Sequence, residues 1–296
     1  MTAEYIDGKT KVCGLIGNPV EHTLSPDIHN TLARFCGVNL AYVPFRVEPG
    51  KVGEAVKGAF ALNVQGLNVT VPYKNEVMPF CREIDPLAGN IGAVNTLVRA
   101  DDGFKGYNTD MTGLYRAMQE DGVVLADEDV ILLGAGGVGR AVAFLCAQKG
   151  AHRIFLLNRS GQKAVAVAEE VNAKIGRNCV QAMELAGWEK LPKKRMLAVQ
   201  ATSVGLFPDC GSAVIEDEAF YERVHTGYDL IYQPSQTKFM RLALRAGGKA
   251  YNGLKMLVWQ GVEAFELMNG ISVSGEQAAK IYEMLLKKTE ILPTRI

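Results

Sequence analysis

Residues 131–140 read ILLGAGGVGR, a short apolar run that ends in a cluster of glycines. The run predicts a buried β-strand, and the residues that follow predict a helix. Gly134, Gly136 and Gly139 have the spacing of the dinucleotide fingerprint, which gives a tight turn, a close approach of pyrophosphate to the backbone, and close packing of helix on strand. The stretch therefore predicts the first strand, turn and helix of a Rossmann-type domain. A purely structural glycine turn is the alternative.

A second buried strand is predicted at 153–157, and the residues at its end indicate which dinucleotide binds. An NAD-binding unit usually carries a carboxylate there, which binds the ribose 2′-hydroxyl. This chain instead has Asn158, Arg159 and Ser160, with Lys163 three residues later. A guanidinium, an ammonium and a hydroxyl suit a 2′-phosphate, so we expect NADP rather than NAD. The alternative is a solvated loop with two ordinary cations.

Composition limits the class of protein. The 296 residues are enough for two domains, and 32 basic against 32 acidic residues argue against a nucleic-acid or acidic-membrane partner. No apolar run is long enough to span a bilayer, and the polar N-terminal residues show no signal-peptide pattern. Six cysteines without a C-x-x-C pair predict reduced thiols in a cytoplasmic protein, and no zinc pattern is present.

Strands and helices also alternate before the glycine turn. Strands are predicted at 11–16, 41–47 and 64–71, helices at 26–36 and 52–62, and a hairpin over 93–107. Alternation of this kind gives parallel strands with right-handed crossovers. We therefore expect an α/β protein of two domains. Residues 1–110 would form a substrate-binding catalytic domain with a mostly parallel sheet, onto which the helices of 255–296 pack, and residues 111–254 would form the Rossmann-type domain.

Ligands of such sheets bind outside the carboxyl ends of the strands, where several polar residues lie. Thr23 and Ser25 follow the first strand, and Thr70 and Lys74 follow the third, with Lys74 at the start of another helix. Asp110 follows the hairpin. Each has a plain structural alternative: Ser25 and Asp110 suit helix N-caps, and Lys74 could be an ordinary surface residue.

Eight motifs together resemble the shikimate dehydrogenase family, which includes quinate-using members. They are GNP at 17–19, HTLSP at 22–26, NVTVPYK at 68–74, GAVNT at 92–96, YNTD at 107–110, GAGGVG at 134–139, NRS at 158–160 and GLKMLVWQ at 253–260. The resemblance covers nearly the whole chain, in the right order. It implies an NADP-dependent enzyme that reversibly reduces 3-dehydroshikimate to shikimate in aromatic amino-acid biosynthesis.

The resemblance also implies roles for individual residues. Lys74 would be the catalytic acid/base, with Asp110 as its partner. The substrate would be bound by Thr23 and Ser25 at its carboxylate and by Thr70, Asn95, Tyr232 and Gln260 at its hydroxyls. The cofactor would be bound by Gly134, Ala135, Gly136, Gly137, Val138, Gly139, Asn158, Arg159, Ser160, Lys163, Thr202, Leu230, Gly253 and Met256. A place in the core is the alternative for Met256.

Thr23 departs from the family pattern, which usually has serine at both positions of the carboxylate-binding pair. Threonine keeps the hydroxyl but adds a methyl group and stiffens χ1. A quinate/shikimate dehydrogenase that uses NAD or both cofactors therefore remains an alternative. A non-catalytic cofactor or cyclitol sensor is another, although it would have no need of Lys74 and Asp110. The expected partner is a small-molecule substrate, and the protein is expected to be a monomer or a homodimer.

Overall fold

The structure is a computed structural model, and it describes residues 6–291. The chain divides into two compact units. The first comprises the residues up to 116 together with 257–284, and the second comprises 117–256 and the residues from 285 onward. In the part described, no helix is long and apolar enough to cross a membrane, and no group of histidine, cysteine, aspartate or glutamate side chains is placed to hold a metal ion.

The first unit is built on a mixed sheet. Its elements are β1 (Lys11–Gly17), α1 (Ser25–Cys36), β2 (Leu40–Arg46), α2 (Val52–Ala61), β3 (Gly66–Val69), a 3-10 turn (Met78–Phe80), β4 (Glu83–Ile84), α3 (Pro86–Ile91), β5 (Thr96–Ala100) and β6 (Gly103–Tyr107). Across residues 6–291 the strand order of this sheet is β2-β1-β3-β5-β6-β4. β1 is parallel to β2 and β3, whereas β5 and β6 form the predicted antiparallel hairpin.

Within residues 6–291, three long helices contribute to both units: α4 (Thr109–Glu120), α9 (Leu254–Asn269) and α10 (Gly275–Ile291). In the first unit, α9 packs closely on β3 and α1 because two glycines face the contacts. A Cβ on Gly66 would collide with Met268, and a Cβ on Gly261 would lie 2.9 Å from Ile28. The close packing fixes the position of α9 in the first unit, and hence of any site residue on it.

The second unit is an all-parallel α/β sheet. It contains β7 (Asp129–Leu133), α5 (Gly137–Gln148), β8 (Arg153–Asn158), α6 (Gly161–Ile175), β9 (Val180–Glu184), a 3-10 segment (Leu185–Lys190), β10 (Met196–Gln200), α7 (Glu218–Tyr221), β11 (Val224–Asp229), α8 (Lys238–Arg245) and β12 (Lys249–Tyr251). Within the described residues the order β12-β11-β10-β7-β8-β9 is that of a Rossmann sheet. The expected α/β class is therefore confirmed, and the ligand-binding edge falls where β7 and β10 adjoin.

Both predicted helix caps are wrong. The N-cap of α1 is Leu24, without a side-chain cap, and Ser25 is already the first helical residue. α4 begins one residue before Asp110, and its capping bond comes from Asn108, whose Oδ1 accepts from the backbone N–H of Met111 at 3.3 Å. Neither Ser25 nor Asp110 therefore uses its side chain as an N-cap.

The helix expected to start at Lys74 is also absent. Residues 71–77 form turns, and only the 3-10 turn follows them. Pro79 explains the difference, because a helix through this segment would need the N–H that proline lacks. The segment is held instead by Tyr73, a buried side chain whose hydroxyl donates to the carbonyl of Val47 at 2.6 Å.

Candidate active site

Lys74 and Asp110 lie together in the first unit although they are 36 residues apart in the chain. Lys74 Nζ is 2.8 Å from Asp110 Oδ2, which is both a hydrogen bond and an ion pair. The main chain of Lys74 is anchored, because its carbonyl accepts from the N–H of Val94 at 2.8 Å. The two side chains are 32% and 21% exposed, so a ligand can reach them. This geometry suits a proton donor held in place by a carboxylate.

Thr23 and Ser25 form a pair of hydroxyls on the loop between β1 and α1. Thr23 Oγ1 lies 3.2 Å from Ser25 Oγ and also accepts from the N–H of Ser25 at 3.2 Å. The hydrogen bond from the N–H of Ser25 holds Thr23 in one rotamer, in keeping with the stiff χ1 of a β-branched residue. The pair therefore presents two hydroxyl groups at one place, an arrangement that can bind a carboxylate.

Thr70 follows β3 and lies against the end of β1. Its N–H donates to the carbonyl of Ile16 at 3.0 Å, and a Cβ on Gly17 would collide with its methyl group. Glycine at position 17 is therefore required for Thr70 to approach this closely. The sheet itself thus sets the position of the Thr70 hydroxyl.

Gln260 reaches the same region from α9. A Cβ on Gly113 would lie 2.5 Å from the backbone nitrogen of Gln260, so α4 and α9 are in close contact at this point. Gly113 is three residues after Asp110, so this contact holds Gln260 about one turn along α4 from the Lys74 ion pair. The Nε2 group of Gln260 donates to the carbonyl of Leu257 at 2.9 Å.

Asn95 joins the site through the start of α4. Its Oδ1 accepts from the N–H of Thr109 at 2.7 Å and from the hydroxyl of Thr96 at 3.0 Å. Behind it, Asn68 Nδ2 donates to Thr96 Oγ1 at 3.1 Å, and the hydroxyl of Tyr42 donates to Asn68 Oδ1 at 2.7 Å. All five side chains are buried. Sequence reasoning found Asn95 but missed the network that supports it.

The first turns of α4 thus bring together four of the eight predicted substrate residues. Asp110 binds Lys74, the neighbouring Thr109 binds Asn95, and Gly113 contacts Gln260. Tyr232 is different, because it belongs to the second unit, where burial raises the pKa of its phenol and keeps it protonated. Its predicted contact with substrate remains a prediction.

The second unit has a groove of about 740 Å³ at the predicted edge of its sheet. It is lined by Gly134, Ala135, Gly136, Gly137, Val138, Asn158, Arg159, Ser160, Lys163, Ala201, Thr202, Ser203, Leu206, Leu230, Ile231, Tyr232, Gln233 and Met256. Twelve of the fourteen predicted cofactor residues are in this set; Gly139 and Gly253 are not. The groove also contains residues that sequence reasoning did not select, among them Ser203 and Gln233.

The glycines of the turn fall into two kinds. Gly134 has a φ of 108°, and a Cβ there would lie 2.6 Å from the methyl of Thr202. A Cβ on Gly139 would collide with the carbonyl of Gly134, so the absence of a side chain at position 139 allows α5 to pack closely against the turn that follows β7. Gly136 and the adjacent first residue of α5 face open space, with nothing within 4 Å of an added Cβ. A pyrophosphate fits there, since no side chain caps the N–H groups at the start of α5.

The loop after β8 carries the expected cations. Asn158 ties this loop to the glycine turn, because its Oδ1 accepts from the N–H of Ala135 at 3.1 Å and its Nδ2 donates to the carbonyl of Ser160 at 3.0 Å. Arg159 and Lys163 are exposed, and within residues 6–291 neither forms an ion pair. Two uncompensated cations at the rim of the groove suit a phosphate group.

A buried network under the groove was missed from the sequence. Asp229 accepts from Thr237 Oγ1 at 2.6 Å, from the N–H of Ile231 at 3.0 Å and from Gln200 Nε2 at 3.2 Å. Gln200 in turn accepts from the N–H and the hydroxyl of Thr202, each at 2.6 Å. Burial raises the pKa of Asp229 to about 6 in spite of these donors. The network fixes the two loops that line the groove after β10 and β11.

Gly253 supports the groove from outside it. A Cβ on Gly253 would collide with the carbonyl of Leu230, and its N–H donates to the carbonyl of Ile231 at 3.0 Å. The glycine therefore allows the start of α9 to approach the loop after β11. Gly253 thus shapes the groove without lining it, and its predicted contact with the cofactor stays a prediction.

Three protein-family models match the chain along its length. A shikimate dehydrogenase substrate-binding domain matches residues 15–97, a shikimate/quinate 5-dehydrogenase model matches 117–191, and a shikimate 5′-dehydrogenase C-terminal domain matches 253–279. The first match includes Lys74, and the second covers the glycine turn.

Individual relatives agree with these matches. The shikimate dehydrogenase (NADP(+)) of Desulforamulus reducens is 44% identical over 273 residues, which are 90% of this chain and 92% of that protein. The enzyme of the same name from Methanothermobacter thermautotrophicus is 40% identical over 90% of this chain and 93% of its own. The crystal structure of Listeria monocytogenes shikimate 5-dehydrogenase, in complex with shikimate and NAD, superposes with a TM-score of 0.88 at 31% identity, and covers 95% of this chain and 98% of that one.

Proposed function

The chain belongs to the shikimate dehydrogenase family, and from this membership we propose that it catalyses the reversible, NADPH-dependent reduction of 3-dehydroshikimate to shikimate. The observation that carries the proposal is the Lys74–Asp110 pair, 2.8 Å apart and open to a ligand, in a unit whose sequence matches the family's substrate-binding domain. The reaction belongs to aromatic amino-acid biosynthesis. A non-catalytic sensor would have no use for this ion pair.

NADP is the cofactor that the residues of the second unit fit. The open space at Gly136 and the uncapped start of α5 can take the pyrophosphate, and Arg159, Lys163 and Ser160 can bind the 2′-phosphate. Among the described residues that line the groove, none carries a carboxylate that could bind a free 2′-hydroxyl. NADP is also the cofactor in the names of the Desulforamulus and Methanothermobacter relatives, whereas the Listeria structure is a complex with NAD.

The chemistry assigned to the protein is proton transfer and charge stabilisation. Bound NADPH supplies the hydride that adds to the ketone carbon. Lys74 hydrogen-bonds to the ketone oxygen, stabilises the negative charge that develops there, and donates its proton to form the alcohol. Asp110 orients the ammonium through the 2.8 Å hydrogen bond. Because Lys74 is partly exposed, it regains its proton from solvent, and in the reverse direction it accepts the proton of the alcohol.

The substrate is a small carboxylate that carries several hydroxyls. We assign its carboxylate to Thr23 and Ser25, whose hydroxyls share one loop, and its ring hydroxyls to Thr70, Asn95 and Gln260, with Tyr232 from the second unit. A site of this kind discriminates strongly against a ligand that lacks a hydroxyl, since buried polar groups would then lose their partners.

Thr23 supports a second candidate activity, the oxidation of quinate. Quinate carries an extra hydroxyl, and a polar site rejects an added hydroxyl less sharply than a missing one. The methyl group of Thr23 changes the shape of the carboxylate loop, and one of the matching family models covers quinate enzymes too. We expect quinate to be the poorer substrate, because the relatives described above are named for shikimate.

We also expect a cytoplasmic location, as either monomer or homodimer. All six cysteines lie in the described residues as free thiols, which agrees with a reducing compartment. Burial raises the pKa of Cys13 to about 12 and that of Cys81 to about 11, so these thiols stay protonated.

The proposed function is tested by incubating the purified protein with shikimate and NADP⁺ and identifying the products by mass. We expect 3-dehydroshikimate and NADPH in equal amounts, and the reverse reaction when the products are supplied. A protein that binds NADP⁺ but leaves shikimate unchanged would contradict the assignment and favour the sensor.

A further inference from the structure

The amide of Asn95 is fixed in one orientation by its surroundings. The N–H of Thr109 lies 2.7 Å from Oδ1, and a backbone N–H can only donate. The atom that faces it must therefore be the amide oxygen. The hydroxyl of Thr96 donates to the same oxygen from 3.0 Å. Oδ1 is thus occupied by protein donors, and only Nδ2 remains to meet a ligand.

The proton of the Thr96 hydroxyl is directed away from Asn68, toward Asn95 and Thr109. Asn68 Nδ2 lies 3.1 Å from Thr96 Oγ1 and 3.4 Å from the backbone carbonyl of Asn95, which can only accept, so Nδ2 is the donor in both contacts. Thr96 therefore accepts from Asn68 and keeps its own proton for Asn95 Oδ1 or for the Thr109 hydroxyl, which is 3.0 Å away. Thr96 is fully buried, so water cannot replace these partners.

A count of hydrogens shows what Asn95 can offer. Nδ2 carries two, and one of them is directed at Thr109 Oγ1, 3.1 Å away. The other has no protein partner within the described residues. Gln260 differs, because its Nε2 directs one hydrogen at the carbonyl of Leu257 at 2.9 Å while its amide oxygen is left to accept. The site therefore combines a donor on Asn95 with acceptors on Gln260 and Asp110.

We propose that Thr96 is a positioning residue that holds Asn95 as a hydrogen-bond donor, so that the site selects a ligand hydroxyl able to accept from Asn95 while it donates to an acceptor on α4 or α9. A hydroxyl can do both at once, whereas an ether or a ketone can only accept. The inference rests on the proposed function for the identity of the ligand. Thr96 itself touches no ligand in this account and acts only through Asn95.

A double-mutant cycle tests the proposal. Thr96→Val removes the hydroxyl at nearly constant shape, Thr96→Ser retains it, and Asn95→Ala removes the group through which Thr96 is proposed to act. The measured quantity is kcat/KM for shikimate at saturating NADP⁺, together with KM for NADP⁺ and Tm. We expect Thr96→Val to lower kcat/KM by about ten-fold, through a higher KM for shikimate with KM for NADP⁺ unchanged, and Thr96→Ser to stay within about two-fold of the wild type.

The decisive comparison is the effect of Thr96→Val in the two backgrounds. We expect no further loss when Asn95 is already alanine. The same loss in both backgrounds, or a serine variant as poor as the valine variant, would overturn the proposal and leave Thr96 as a packing residue. The wild-type rate separates the two hypotheses: absence of shikimate turnover contradicts the proposed function, whereas turnover with an additive cycle contradicts only the role of Thr96.

Discussion

The groove of the second unit and the Lys74 site of the first unit are built in different ways. The groove is shaped partly by backbone, with Gly134, Gly136 and Gly137 in its lining and Gly139 packed against the carbonyl of Gly134. The Lys74 site is built from side chains in the turn after β3, just before β5, on α4 and on α9, and it is held by hydrogen bonds and close contacts between residues far apart in the chain. A backbone-built site leaves a local signature in the sequence, whereas a side-chain site becomes visible only when the fold brings its parts together.

The largest effect is expected at Lys74, where chemistry depends on one side chain. Lys74→Met should lower kcat about 10²- to 10⁴-fold and leave the Kd for NADP⁺ unchanged, because the ammonium that donates the proton is lost while the groove is intact. Steady-state kinetics and calorimetry measure the two quantities. Lys105→Met is a matched control, since Lys105 also pairs with a carboxylate, Glu83, in the first unit. Turnover of Lys74→Met close to that of the control would refute the catalytic role.

Arg159 tests whether the groove owes its cofactor preference to a side chain rather than to its backbone. Arg159→Ala should reduce the preference for NADP over NAD, measured as the ratio of kcat/KM values, by about ten- to a hundred-fold, because a charge-assisted bond to the 2′-phosphate is lost. Gln162→Ala, at an exposed position three residues after Arg159 that does not line the groove, serves as the control. An unchanged ratio in Arg159→Ala would mean that the loop is an ordinary solvated surface.

The two kinds of glycine should respond differently to alanine. Gly139→Ala should lower the free energy of unfolding by about 1–3 kcal/mol, seen as a Tm several degrees lower, because its Cβ meets the carbonyl of Gly134. Gly136→Ala should keep its Tm within about 2 °C but raise KM for NADP⁺ about ten-fold, since the methyl group enters the space for pyrophosphate. Equal losses of stability in both variants would show that Gly136 and Gly139 do not differ in this way, one being needed for cofactor binding and the other for packing.

The smallest effect concerns Asp229, beneath the groove. Its pKa of about 6 lies above the unfolded value, so the ionised form destabilises the fold at neutral pH, and the penalty disappears as the pH falls from about 7 toward 4. In Asp229→Asn the side chain is an amide, which cannot ionise. The Tm of this variant relative to the wild type should therefore be higher by a few degrees at about pH 7.5 than at about pH 5. A difference in Tm that does not depend on pH would contradict the raised pKa.

The local sequence predicted secondary-structure elements well where a single hydrophobic pattern determined them. The strands predicted at 11–16 and 153–157 were placed to within one residue, because each is an apolar run with clear ends. β9 and β12 were not predicted: at the edges of the sheet they are only partly buried and carry no apolar run. Edge strands owe their structure to the neighbour they pair with rather than to their own pattern.

The errors near the site have a common physical cause. Asp110 is a good N-cap residue by type, but the fold gives the cap to Asn108 and the carboxylate to Lys74. In the same way, Asn68 and Thr96 look like ordinary polar strand residues until the sheet places them next to Asn95. Propensity describes what a residue can do alone, and tertiary partners decide which of those roles it takes.

The most direct test of the central claim is a grid of initial rates with shikimate and quinate, each with NADP⁺ and NAD⁺. We expect shikimate with NADP⁺ to exceed every other combination by about a hundred-fold or more in kcat/KM, because Arg159 and Lys163 select the 2′-phosphate and the hydroxyls of the first unit select the cyclitol. Comparable rates with quinate would show that the Thr23 loop admits the larger polyol. Comparable rates with NAD⁺ would contradict the assignment of the cations to the 2′-phosphate.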